Sequence, residues 1–141
     1  MKLQDQVCTL EQAKKLKKLG VEQKSLFAHI NGKHSSANIL LPENIHSMDL
    51  EEERFSAFTV AELGVMLPKV IKKDGMKYRF RANRESNGLW HLKIRTLSPE
   101  GKMLPLCITQ NLNEAEARAD MLIKLLEKEL ITVQWINDLL K

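Results

Sequence analysis

From Met76 onward hydrophobic and polar side chains alternate with a period of two. In MKYRFRANRESNGLWHLKIRTL, Met76, Tyr78, Phe80 and Ala82 are separated by Lys77, Arg79, Arg81 and Asn83. Successive side chains of a strand point to opposite faces, so this pattern predicts a half-buried strand with one apolar and one cationic side. After a turn at Glu85-Ser86-Asn87-Gly88, Trp90, Leu92 and Ile94 alternate with His91, Lys93 and Arg95, which supplies an antiparallel partner. Ser98-Pro99-Glu100-Gly101 makes a second turn, and KMLPLCI gives a third strand. Its Pro105 cannot donate to a ladder and therefore argues for an edge position.

Helical spacing takes over on either side of these strands. Asn113 with Glu116 is an N-terminal capping pattern, and Ala115, Ala119, Leu122, Ile123, Leu126 and Leu130 then form an apolar face, the strongest helix signal in the chain. Thr59 with Glu62 is a capping box before Val60, Leu63, Met66 and Leu67, and Pro68 ends that helix. Gly64 in its middle implies that another backbone packs close by. Thr9 with Gln12 opens an N-terminal helix over Leu10, Ala13, Leu16 and Leu19, closed by Gly20. LFAHI and ILLP read as short strands around a polar turn. In HSMDLEEERFSAF the acids Asp49, Glu51, Glu52 and Glu53 crowd together, which predicts an exposed linker or short helix. The last stretch, TVQWINDLLK, predicts a short helix capped by Thr132.

These elements predict one domain over residues 1–141 of α+β class. Residues 1–48 hold the N-terminal helix and short strands, 49–57 an acidic linker, and 58–141 an α-β-β-β-α core with a terminal helix. The core is a small antiparallel three-stranded meander covered by helices. Double-stranded RNA-binding domains share this order of elements, as do unrelated small α/β sandwiches, so the order does not fix a function. In that family phosphate is met by a basic start of the last helix; here QNLNEAEARAD places Glu114 and Glu116 there, which would repel it. A helix-turn-helix reading of TVAELGVML fails as well, because Pro68 and a lysine-rich connection follow where a recognition helix belongs.

Composition sets wide bounds. The chain has 141 residues, 43% hydrophobic and 28% charged, with a net charge of +4, which fits one folded domain and permits a polyanionic partner without requiring it. No apolar run approaches the roughly 20 residues that span a bilayer, and MKLQDQVCTLEQAKK lacks the apolar block of a signal peptide. The expectation is a cytoplasmic protein without a membrane partner. Cys8 and Cys107 lack metal-type spacing and read as reduced structural thiols.

Candidate chemistry is concentrated on the cationic strand face. Lys77, Arg79, Arg81, His91, Lys93 and Arg95 would stand side by side, which costs stability where no anion lies near. The acids of residues 49–53 or of a covering helix are the first candidates to neutralise them, a solvated face with long side chains splayed into water is the second reading, and a nucleic acid or other polyanion is the third. Tyr78 and Trp90 fall on the apolar side, so base stacking is not supported. His29, His34 and His46 have no metal or catalytic spacing and read as surface residues. The chain also lacks GxSxG, Walker, HExxH and CxxC motifs. No metal, cofactor or catalytic residue is expected. Trp135, Ile136, Leu139 and Leu140 are unusually apolar for a tail and are interface candidates for a protein partner or a second copy of the chain.

TLEQAKKLKKLG, FTVAELGVMLP and EAEARADMLIKLLE together resemble small uncharacterised proteins encoded in prophages and conjugative elements of gut bacteria, similar in layout to phage α-β-α sandwich domains. The resemblance implies a bacterial mobile-element accessory protein and transfers no functional residue. The resulting expectation is a non-catalytic interaction protein, with a nucleic-acid-binding accessory as the alternative.

Overall fold

The computed structural model describes residues 2–31, 38–42 and 53–141. A turn of 3-10 helix at Leu3–Gln6 leads into α1 (Leu10–Lys18), followed by β1 (Phe27–Asn31), β2 (Asn38–Pro42) and β3 (Glu53–Ser56). Then come α2 (Val60–Met66), β4 (Val70–Lys73), β5 (Met76–Arg84), β6 (Trp90–Leu97), β7 (Met103–Asn111), α3 (Glu114–Glu127) and α4 (Val133–Leu139). The class is α+β with antiparallel sheets, as the periodicities indicate.

The strands form two sheets, a three-stranded one in the order β2-β1-β3 and a four-stranded one in the order β4-β5-β6-β7. The second sheet thus has one strand more than the meander expected from the alternation. Residues 70–73 had read as a connection because only Ile71 among them points inward and becomes buried. The signal that makes them a strand is the Asp74-Gly75 pair. Both residues have positive φ, 51° and 78°, which suits the two-residue hairpin turn matching the twist of the flanking strands. Pro105 does lie on an edge strand, next to a register shift that leaves Leu106 unopposed between Ile94↔Cys107 and Arg95↔Pro105.

A second correction concerns the acidic stretch. Glu53–Ser56 is strand β3, paired antiparallel with β1, and Phe55, Ser56, Ala57 and Phe58 are all buried. The run of acids masked the continuous buried run that begins at Phe55. Asp49–Glu52, His34 and His46 lie outside the described residues.

Four helix caps form as the sequence indicates, including Thr132, whose Oγ1 accepts from Trp135 N at 3.1 Å. Thr9 and Thr59 each accept from the third helical N–H, while Gln12 and Glu62 reach back to the cap N–H, completing two capping boxes. Asn113 Oδ1 accepts from Glu116 N at 3.1 Å. The first two caps are tied together, since Val7 bridges Thr59 and Cys8 N donates to Phe58 O at 2.9 Å. Gly20, at φ 99°, ends the first helix.

The core gathers on α3, whose Ala115, Ala117, Ala119, Met121, Leu122, Ile123, Leu125 and Leu126 are all buried. That is more than one helix face, because α3 touches the four-stranded sheet, α1 and α2. Thr109 Oγ1 donates to Ala117 O at 3.1 Å on the sheet side, and Gln12 Nε2 donates to Glu116 O and Asp120 Oδ1 at 3.0 and 2.7 Å on the α1 side. Gly64 faces α3, and a Cβ there would lie 3.3 Å from Arg118 Nη1. A side chain, not a backbone, therefore crowds that glycine. The guanidinium is held by Glu114 at 2.8 Å and lies over the Phe80 ring.

Glu62 joins the start of α2 to the segment that leads into β1. Its carboxylate accepts from Thr59 N at 2.7 Å, Ser25 Oγ at 2.9 Å and Leu26 N at 2.9 Å, so one side chain caps α2 and fixes the entry to β1. Hydrogen bonds to a charged acceptor are each worth about 1.5–3 kcal/mol, while an ordinary cap is worth about 1 kcal/mol. Glu62→Ala is expected to cost about 3 kcal/mol and Thr9→Ala about 1 kcal/mol in urea unfolding. Equal losses would show that the link to β1 contributes nothing.

Candidate functional site: the outer face of the four-stranded sheet

The register fixes which side chains share the outer face. Phe80, Ile94 and Cys107 stand in one cross-strand row, and so do Ala82, Leu92 and Thr109; these rows turn toward α3. The intervening rows turn away from it. Lys72 opposes Lys77, Arg79 opposes Arg95, and Arg81 opposes Lys93, giving three successive like-charge pairs. Asn83 and His91 make the next row. Lys77, Arg79, Arg81, Lys93, Arg95 and His91, the six residues expected from the alternation, therefore lie on one face, joined by Lys72 from the unforeseen strand.

Rows of this kind repeat about every 6.7 Å along the strands, and strands stand about 4.8 Å apart. Like charges directly opposite one another destabilise a sheet, and opposite charges at the same spacing stabilise it. The ion pairs among the described residues are Lys24–Glu22, His91–Glu85, Arg118–Glu114 and Lys141–Asp138. None of them involves Lys72, Lys77, Arg79, Arg81, Lys93 or Arg95. Glu53, a sequence candidate to neutralise this face, is instead in β3 of the other sheet. The covering helix α3 lies on the opposite side.

The cations border a groove of about 480 Å³ lined by Lys77, Arg79, Arg81, Arg95, Leu97 and Met103, with Thr96 completing it. Its apolar members are open to solvent, Leu97 at 62% and Met103 at 45%. Ile108, opposite Lys93, is 40% exposed. His91 sits beyond the groove, 3.4 Å from Glu85, and its buried Nδ1 has no partner.

The remaining candidates are placed elsewhere. Trp135 and Leu139 remain on the surface, but Ile136 is fully buried and Leu140 packs against the core, so α4 is docked on its own chain. Trp135 borders a hollow of about 350 Å³ with Pro68, Val70, Ile71, Lys72 and Leu130. His29 is buried with Nε2 2.7 Å from Cys8 O, contrary to its reading as a surface residue. The reason is that β1 is the middle strand of its sheet, which a five-residue segment does not disclose. On α1, Lys14 and Lys17 lie over the Phe55 ring, and Lys17 donates to Arg54 O. No group of three or more His, Cys, Asp or Glu among the described residues is arranged to hold a metal ion.

Both cysteines are free and buried. Burial pushes the Cys8 thiol from 9.0 up to about 12, and burial also raises Cys107. The folded chain then holds the Cys8 proton more tightly than the unfolded chain does. The stability this confers is complete below about pH 9 and is lost as pH climbs toward 12.

No helix among the described residues is long and apolar enough to cross a membrane. No protein-family model, curated protein or solved structure matches this chain.

Two outcomes follow from this geometry. Neither thiol should react with a disulfide reagent in the native protein at about pH 8, and both should react after unfolding; native reaction of Cys8 would contradict its burial. Arg81→Glu, which sets an acid opposite Lys93, should raise stability by about 0.5 kcal/mol in low salt and by less in high salt. A loss in low salt would mean that an acid already faces that row.

Proposed function

We propose that this chain is a non-catalytic accessory protein that acts by binding, and that the outer face of its four-stranded sheet is the surface that meets an anionic partner in the cytoplasm. The observation that carries this reading is the set of three like-charge pairs, Lys72/Lys77, Arg79/Arg95 and Arg81/Lys93, with no acid paired to any of them among the described residues. A stability cost repeated on three adjacent rows is what a surface kept for an external anion would carry. The concavity beside Arg79, Arg81 and Arg95 gives such a partner a place to seat.

The mobile-element reading rests on the resemblance of the helical segments and would make the protein an accessory to a phage or conjugative system. Nucleic acid is the second reading, supported by the same cations. Against it, Tyr78, Phe80 and Trp90 pack toward the core, so no aromatic side chain of β5 or β6 is available to stack on a base.

At low salt the protein is expected to be retained on immobilised heparin and released as salt is raised. The triple variant Arg79→Glu, Arg81→Glu, Lys93→Glu should pass through, its folding checked by circular dichroism. If the parent is not retained, or the folded variant is retained equally, the outer face is not an anion-binding surface.

A further inference from the structure

The outer face is divided, and the division identifies its partner more closely; the argument rests on the binding reading just given. The β5 and β6 columns carry Lys77, Arg79, Arg81, Lys93 and Arg95, whereas the β7 column carries Met103, Pro105 and Ile108, all exposed. Leu97, the last residue of β6, is paired with Met103 and extends the aliphatic part to the end of the groove. A cationic half therefore lies directly against an aliphatic half.

We infer that this face takes a short acidic, amphipathic segment of a protein partner, with carboxylates over β5 and β6 and aliphatic side chains over β7. A nucleic acid satisfies the arginines equally well, since guanidinium forks donate to phosphate as readily as to carboxylate. It has nothing to place on Met103 and Ile108, because bases prefer aromatic platforms and the backbone is polar. An acidic segment with apolar residues covers both halves, and the unbranched, polarizable Met103 adapts to different aliphatic shapes.

Length points the same way: three rows span roughly 13 Å along the strands, about the reach of four extended residues, so a short extended segment matches the patch.

The test compares three fluorescent probes at equal charge and low salt: polyglutamate, a synthetic peptide with glutamate and leucine in equal parts, and a single-stranded oligothymidylate. The glutamate–leucine peptide is expected to bind about tenfold tighter than polyglutamate, the gain that burying a little aliphatic surface supplies. The oligonucleotide should bind no tighter than polyglutamate. Met103→Ser with Ile108→Ser, both at solvent-exposed positions, should lower the affinity for the leucine-bearing peptide to that for polyglutamate on the same variant. Equal binding of the two peptides, a preference that survives the double variant, or tightest binding of the oligonucleotide would overturn this inference and leave the anion-binding surface standing. Failure of all three probes would remove the surface itself.

Discussion

The structure depends on the burial of α3 from more than one side. A helix that meets only a sheet needs one apolar stripe, but α3 buries eight residues because α1 and α2 close on it as the sheet does. The three alanines in its first half keep that end slim, and the larger Met121, Leu122, Ile123, Leu125 and Leu126 fill the rest. Once the helices have gathered on this rod, they lie on one side of the four-stranded sheet. The opposite side is left to solvent, and its character is set by whatever the alternation places there.

What it places there is charge of one sign. Since the side-chain period of a strand is two, a slip of one residue in either hairpin would carry the arginines into the core and Tyr78, Leu92 and Ile94 into water. The cost of such a slip is large enough to hold the register against the repulsion between neighbouring cations. The turns assist: Asp74, Gly75, Gly88 and Gly101 all take positive φ, and each closes a hairpin of the same sheet. The repulsion on one face is therefore borne by packing on the other. An electrostatically unfavourable surface can be retained for this reason without loosening the fold.

Local signals were the most legible part of the sequence. Capping boxes at Thr9 and Thr59 depend on residues three apart, and the period-two pattern of β5 and β6 runs long enough to stand out. The cationic face was readable for the same reason, since a helix or strand face is a property of one segment and its neighbour. What escaped was set by distant partners. β4 has a single buried side chain, Ile71, and is a strand because β5 lies beside it; the Asp-Gly turn was its one local mark. β3 was hidden behind acids, and His29 became a core residue only because strands pair on both sides of β1. The aliphatic half of the outer face was not legible, because Met103 and Pro105 differ in parity from Ile108 and share a face with it only through the register shift near Arg95.

The two margins of the four-stranded sheet are finished differently. β4 is short and carries Lys72 and Lys73, while β7 is long and carries exposed Met103, Leu104 and Ile108 with Pro105 among them. An aliphatic margin of that length is a template on which further chains could zip up into fibrils. Proline withholds one donor in its middle, and the neighbouring bulge bends it out of line, so a growing cross-β stack would meet a missing rung and a kink together. The same short passage of sequence that offers a greasy landing strip thereby guards the protein against polymerising through it.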